Sequence, residues 1–286
     1  MDFADRIVEL RRQKKTLAVL GVDPQLDSST GPGVPQGLSL TRFCCGIIES
    51  CAEFVLAIKP QLAFFEARGI DGLKAFREVV ATGKRLSLPV IADAKRGDIG
   101  STSAAYAEAF LGDGDFASDA VTVNPYLGSD AFAPFVARVK NHRGVFILVK
   151  NSNPSSGEFQ DVSSADGAPM WELVARRVAG WGDDFIGKNG ISSVGAVIAA
   201  NYPAQAKRAR ELMPNALILV PGYGAQGAGP ADAVAAARPG EPAILVSSSR
   251  GLMYAFANQQ GKSPADAARD AAREMRDSLN EALSKR

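Results

Sequence analysis

The chain of 286 residues has one histidine, three cysteines and almost no net charge. A single histidine rules out a histidine-rich metal site, and His142 precedes the fifth apolar run, where it is badly placed for a Ser-His-Asp relay. Cys44, Cys45 and Cys51 lie on one predicted helix. Because the set is odd and clustered, with no metal-ligand spacing, we expect free thiols rather than disulfides or a metal site.

Charge and long apolar runs are also scarce. Lys and Arg number 32 against 31 Asp and Glu, a formal charge of +1, whereas a nucleic-acid-binding surface needs a basic excess. No apolar stretch approaches the roughly 18 residues of a membrane helix. The charged segment 1–15 lacks the apolar core of a signal peptide. We therefore expect a cytoplasmic protein with no nucleic-acid or membrane partner.

Eight short apolar runs recur along the chain, and helical patterns separate most of them. Continuous apolar runs are typical of strands buried on both faces of a parallel sheet. The alternation predicts an α/β fold, a single (β/α)₈ TIM barrel over 1–286, with a doubly wound open sheet as the alternative. Flanking helices are predicted over 1–16 and 263–286. The runs are Leu17–Val22, Phe54–Lys59, Pro89–Asp93, Ala120–Val123, Val145–Val149, Val194–Ala199, Ala216–Val220 and Ala243–Val246.

Polar or charged residues stand at the end of nearly every run. In a barrel these positions converge at the carboxyl ends of the strands, where such enzymes place their sites. They include Asp23, Lys59, Asp93, Lys95, Asn124, Lys150, Ser152, Asn201 and Arg250. The pattern therefore predicts one catalytic face.

The densest of these groups is the segment DAKRGD, residues 93–98. The two-residue period of a strand puts Asp93 and Lys95 on the same face, pointing into the barrel mouth. Lys59 from the neighbouring strand and Asp98 would complete an alternating set of ammonium and carboxylate groups. The alternative is a purely structural ion-pair network, which the nearby anion-site candidate disfavours.

That candidate is the segment PGYGAQG, 221–227, together with SRG, 249–251. Barrel phosphate sites are commonly built from the seventh and eighth loops, where glycines expose backbone N–H groups and Arg250 can grip an anion. The same segment matches G-x-G-x-x-G, but no acidic residue ends the next strand, which disfavours a dinucleotide site. No P-loop pattern is present.

Seven segments together resemble the orotidine 5′-phosphate decarboxylase family, in its bacterial longer-chain branch. They are GVDPQ (21–25), IKPQLAFFE (58–66), DAKRGDIGST (93–102), TVNPYLG (122–128), NSNPSSGEF (151–159), PGYGAQG (221–227) and SSSRG (247–251). The resemblance implies decarboxylation of orotidine 5′-monophosphate to UMP, the last step of de novo pyrimidine synthesis, with neither a metal nor an organic cofactor.

The resemblance also implies roles for individual residues. Lys95 would protonate C6 of the pyrimidine, Asp93 would face the substrate carboxylate, and Lys59 and Asp98 would complete the catalytic network. Asp98 and Thr102 would reach the ribose in the neighbouring subunit's site, which implies a homodimer. The implied substrate-binding set is Asp23, Lys59, Thr102, Asn124, Ser152, Gly222, Gln226, Arg250 and Gly251.

Three other functions remain as alternatives. Sister barrels that decarboxylate or condense sugar phosphates are expected to carry a magnesium-binding Glu where this chain has Lys59. A Schiff-base aldolase would use Lys95 as a nucleophile, but Asp93 and Asp98 favour its protonated form. A barrel that only binds phosphate ligands would have little need of the charged cluster.

Overall fold

The computed structural model describes residues 1–25, 32–224, 227–259 and 261–286. Eight parallel strands form one sheet in the order β2-β1-β8-β7-β6-β5-β4-β3. This arrangement confirms the predicted (β/α)₈ barrel. The strands are β1 Ala18–Val22, β2 Ala57–Pro60, β3 Ile91–Arg96, β4 Ala120–Val123, β5 Gly144–Lys150, β6 Ser192–Ile198, β7 Ala216–Pro221 and β8 Ile244–Ser248.

The barrel closes between β2 and β3, where pairing is weakest. Most neighbouring strands share three to five registered residue pairs. Among the described residues, β2 and β3 are joined through two isolated parallel bridges, Ile58 to Val90 and Gln61 to Asp93. A seam with so few backbone hydrogen bonds depends on side chains for its closure.

Twelve α-helices are formed by the described residues, and most of them surround the barrel. They are α1 Phe3–Lys14, α2 Leu40–Cys51, α3 Leu62–Glu66, α4 Gly69–Arg85, α5 Gly100–Leu111, α6 Ser129–Ala137, α7 Gly157–Gln160, α8 Met170–Gly182, α9 Pro203–Leu212, α10 Pro230–Ala233, α11 Arg250–Met253 and α12 Pro264–Ser284. Local chemistry sets their ends: at the start of α12, the Ser263 hydroxyl accepts a hydrogen bond from Asp266 N at 3.1 Å.

Helix α1 covers the end of the barrel opposite the carboxyl ends of the strands. Phe3, Ile7 and Val8 are buried in a cluster with side chains from the barrel interior. The Phe3 and Phe146 rings pack edge to face with centroids 6.0 Å apart. Gly144 permits this approach, since a Cβ there would lie 2.4 Å from Phe3 Cδ1. The chain thereby seals one end of the barrel with its first helix.

The described residues contain no helix that is long and apolar enough to span a membrane.

Cys44, Cys45 and Cys51 are unpaired, as expected. Burial raises the pKa of Cys51 to about 12, and it also raises the pKa of the Cys44 thiol. Both thiols are therefore protonated at neutral pH, which makes them poor nucleophiles.

The seal at the closed end predicts a large effect of Phe3→Ala on stability. Loss of this buried ring leaves a cavity against Phe146 and should lower the free energy of unfolding by about 3–5 kcal/mol. Denaturant titration would measure the change, with Leu10→Ala, a partly buried residue of the same helix, as the milder control. Equal effects of the two substitutions would contradict a sealing role for Phe3.

Candidate active site

A cavity of about 520 Å³ opens at the carboxyl ends of the strands. Its walls carry charged groups on one side and loop residues from β7 and β8 on the other. The structure brings together seven of the predicted site residues here: Asp23, Lys59, Asp93, Lys95, Ser152, Gly222 and Arg250. These residues come from six strand ends, so the fold assembles the site from distant parts of the chain.

One buried carboxylate lies between two ammonium groups. Lys59 Nζ lies 2.6 Å from Asp93 Oδ2, and Lys95 Nζ lies 2.6 Å from Asp93 Oδ1. Lys59 and Asp93 are 5% and 6% exposed, whereas 44% of the Lys95 side chain remains accessible. Lys95 is thus the member of the cluster that can meet both a ligand and solvent.

Two neutral residues complete the hydrogen bonds of Asp93. The Thr122 hydroxyl donates to Asp93 Oδ1 at 2.9 Å, and Gln61 Nε2 donates to Oδ2 at 3.1 Å. Sequence reasoning assigned neither residue to the site. Thr122 carried a signal, since it is the one hydroxyl in an otherwise apolar strand. Gln61 follows the strand end at Lys59 by two positions.

The backbone at Lys95 departs from regular strand geometry. The register between β3 and β4 shifts between Ala92 and Arg96, and Lys95 has a φ of +46°, in the left-handed region. Lys95 N donates to the Thr122 hydroxyl at 3.0 Å, which helps to hold this conformation. Bulges of this kind redirect a side chain beside an active site, at some cost in strain.

The contacts within the cluster favour the charged forms of Asp93 and Lys59. Burial alone would raise the pKa of Asp93, but the ammonium groups of Lys59 and Lys95 outweigh burial and keep that pKa well below its usual range. Burial likewise opposes the charge of Lys59, yet Asp93 and Asp23 raise its pKa above the usual value. The cavity therefore presents a fixed pattern of two positive charges around one negative charge.

Asp23 has a different environment at the end of β1. Burial raises its pKa above the ordinary 3.8, although Lys59 and a hydrogen bond with Ser249 oppose this. Its Oδ1 atom is buried and has no hydrogen-bond partner among the described residues. A buried acceptor that faces a cavity is costly for the free protein, and a ligand hydroxyl could satisfy it.

The other wall of the cavity has the features of an anion site. Gly222, Tyr223, Arg250 and the serines at 247–249 line it. Gly222 has a φ of +102°, which favours glycine. Gly21 allows Ser249 to approach β1, since a Cβ at Gly21 would lie 1.9 Å from Ser249 Oγ. Gln226, also predicted to bind substrate, lies outside the described residues.

Four predicted residues do not line the cavity within the described chain: Asp98, Thr102, Asn124 and Gly251. The carboxylate of Asp98 accepts a hydrogen bond from Ile99 N at 2.7 Å, and Thr102 is exposed on α5. Asn124 Oδ1 accepts from Tyr126 N at 3.0 Å. Gly251 is exposed in the first turn of α11. Asp98 thus stays outside the Lys59–Asp93–Lys95 cluster of its own chain.

The described residues contain no group of three or more His, Cys, Asp or Glu side chains that could hold a metal ion. The acidic residues of the cavity are Asp23 and Asp93, and the latter is already paired with two ammonium groups. Two adjacent positive charges repel a divalent cation. The cavity is suited to an anionic organic ligand instead.

The fold and this cavity define a (β/α)₈-barrel protein in which a buried charge cluster lies beside a wall of glycine, serine and arginine residues. The family model described as "Orotidine 5'-phosphate decarboxylase / HUMPS family" matches residues 26–259. The chain belongs to this family, as the sequence motifs predicted.

Curated and solved relatives agree with this assignment. The chain is 40% identical over 283 residues to the orotidine 5′-phosphate decarboxylase of Deinococcus radiodurans, covering 98% of both chains. It is 39% identical to the enzyme of the same name from Rhodopirellula baltica, covering 99% of both. Among solved structures, it is similar to the OMP decarboxylase of Leishmania donovani, with 31% identity, a TM-score of 0.80 and 99% coverage of both chains.

The raised pKa of Asp23 predicts a conflict between stability and function. Because its folded pKa lies above the unfolded value of about 3.8, the ionised form destabilises the free protein at neutral pH. Asp23→Asn should therefore raise the free energy of unfolding at pH 7 while it weakens ligand binding. The stability gain should shrink as the pH falls from the folded pKa toward 3.8.

Denaturant titration between pH 3 and pH 7 would measure this gain. Asp71→Asn is the matched control, since the Asp71 side chain is 91% exposed. An Asp23→Asn protein less stable than wild type at pH 7 would contradict the expected cost of burying this carboxylate.

Proposed function

We propose that this chain decarboxylates orotidine 5′-monophosphate to UMP and carbon dioxide, in the last step of de novo pyrimidine synthesis. The observation that carries the proposal is the Lys59–Asp93–Lys95 cluster beside the anion wall, in a chain that belongs to this family. The relatives' shared name supports the same reaction.

In the proposed reaction, Lys95 is the proton donor. The bond between C6 and the carboxylate carbon breaks, its electron pair stays on C6, and carbon dioxide leaves. C6 then takes a proton from the Lys95 ammonium, and the resulting amine recovers a proton from solvent. A fixed ammonium stabilises a localised carbanion more than a delocalised carboxylate, which is differential binding of the transition state. The partial exposure of Lys95 supports its reprotonation.

Asp93 has two proposed tasks. It holds the Lys95 ammonium within 2.6 Å, and it faces the substrate carboxylate. Two like charges about 4 Å apart repel by about 4 kcal/mol at an effective dielectric constant of about 20. Loss of carbon dioxide relieves this repulsion, so the same carboxylate both orients the acid and disfavours the bound ground state.

The remaining cavity residues are proposed to bind the nucleotide. Asp23, with its unpartnered Oδ1, and Lys59 would hold ribose hydroxyls, while Ser152 would contact the pyrimidine. Gly222, Gln226, Arg250 and Gly251 would bind the phosphate, and Asn124 would complete the set. The phosphate is remote from C6, so its binding energy can hold the reacting groups in place.

We further propose a homodimer in which Asp98 and Thr102 reach the neighbouring subunit's ribose. Their position outside the cavity of their own subunit supports this arrangement. Ile99, which follows Asp98, is 62% exposed, and Tyr126, in the loop after β4, is 82% exposed; exposed apolar groups of this kind are common at interfaces. We also propose that residues 1–286 act as one domain in the cytoplasm, where the three free thiols stay reduced.

Incubation with orotidine 5′-monophosphate in excess EDTA tests the reaction and the role of Lys95. We expect turnover that persists in EDTA, and the loss of substrate absorbance would measure it. Lys95→Ala should reduce kcat by at least about 10³-fold, because both the proton and the charge are lost. No turnover by the intact protein, or loss of turnover in EDTA, would contradict the proposed reaction and favour a binder or a metal-dependent sister enzyme. Full activity of Lys95→Ala would contradict the proton-donor role alone.

Mixing two inactive variants tests the shared site. In a heterodimer of Lys95→Ala and Asp98→Ala, one site keeps its own Lys95 and receives Asp98 from the partner. Statistical exchange should therefore restore about a quarter of wild-type activity, since half of the dimers each hold one complete site. As a control, the double variant Lys95→Ala/Asp98→Ala should restore no activity when it is mixed with either single variant. In each of these mixtures, one of the two residues is absent from every chain. Absence of any recovery after proven subunit exchange would argue against Asp98 acting across the interface.

A further inference from the structure

A buried ammonium group at the end of β5 takes no part in the proposed chemistry. Lys150 is 1% exposed, and it does not line the cavity. A buried lysine is costly unless it is paired, so its partners show what the fold gains from it.

Those partners come from the polar loop that follows β5. Lys150 Nζ lies 2.7 Å from Asp161 Oδ1 and 2.8 Å from Asp161 Oδ2. The ammonium also lies 4.9 Å from the centre of the Tyr202 ring, within the range of a cation–π contact. Asp161 thus stands over the end of β5, although half of its side chain faces solvent.

A second contact ties the same two chain segments together. Asn151 N donates a hydrogen bond to Gln160 Oε1 at 3.0 Å. Two consecutive residues at the start of the loop are therefore bonded to two consecutive residues at its end. We call these two contacts, Lys150–Asp161 and Asn151–Gln160, the loop clasp.

The clasp closes residues 152–159 into a small loop at the rim of the cavity. Ser152 and Asn153, the first two residues inside it, line the cavity. Asn201, after β6, contacts the same point from the other side, with Nδ2 3.4 Å from the Ser152 carbonyl oxygen. The backbone that carries the predicted pyrimidine contact is thus held from two sides, by the clasp and by Asn201 after β6.

We propose that the loop clasp positions Ser152 and Asn153 against the base of the bound nucleotide, so that Asp161 and Gln160 are positioning residues. This inference rests on the proposed function for the identity of the nucleotide. A loop whose base is already closed has less conformational entropy to lose when the ligand binds. Because the clasp lies on the Ser152 side of the cavity, its effect should be confined to the base and should spare the phosphate.

Binding of two probes separates such a role from general support of the fold. UMP carries a base, ribose and phosphate, whereas ribose 5-phosphate lacks the base. In Asp161→Asn, calorimetry should show the Kd of UMP raised by at least about tenfold and that of ribose 5-phosphate changed by less than about twofold. Glu158→Gln removes one negative charge from an exposed position of the same loop and should leave both values unchanged.

Gln160 supplies a second test that leaves the buried charge paired. Gln160→Ala removes the acceptor for Asn151 N and should weaken UMP binding selectively. Gln160→Glu supplies a carboxylate oxygen as the acceptor and should restore most of the UMP binding. These variants decide the matter if Asp161→Asn fails to fold.

Equal weakening of both probes, or no weakening of UMP in either Asp161→Asn or Gln160→Ala, would overturn the proposal. If the clasp variants weaken UMP binding as expected, but the wild-type protein does not decarboxylate orotidine 5′-monophosphate, only the proposed reaction would be contradicted. Wild-type protein that fails to bind UMP would overturn both.

Discussion

The carboxylate of Asp93, buried between the ammonium groups of Lys59 and Lys95, is the constraint on which the site depends. Burying the charge of Asp93 or of Lys59 alone would be prohibitive, and each of these two groups tolerates its buried position because the other is there. Thr122 and Gln61 fill the remaining hydrogen-bonding capacity of Asp93. The result is an electrostatic pattern that exists before any ligand enters, as preorganised catalysis requires.

The two ends of the barrel have different roles: the closed end contributes stability, and the open end carries the candidate site. At the closed end, α1 packs Phe3 and its neighbours into an apolar cluster. At the open end, Asp23 keeps a buried oxygen without a protein partner, and Lys95 adopts a left-handed backbone conformation. Such unfavourable features are tolerated because the apolar layers elsewhere offset them.

Much of this architecture could be predicted from sequence, since strands buried on both faces appear as continuous apolar runs. Convergence of Asp23, Lys59, Asp93 and Lys95 followed from barrel geometry alone. A two-residue period could not predict the bulge at Lys95, because that depends on the register with β4. Lys150 looked equivalent to the other strand ends, yet it turns away from the cavity toward Asp161 and Tyr202. Such a direction depends on tertiary packing and on partners that lie far along the chain.

The charge cluster also has a structural role at the weakly paired seam between β2 and β3. Lys59 belongs to β2 and Asp93 to β3. Their 2.6 Å ion pair therefore links two strands that are otherwise joined by only two isolated bridges among the described residues. Removal of either side chain would therefore remove a link between β2 and β3 as well as a charge of the site.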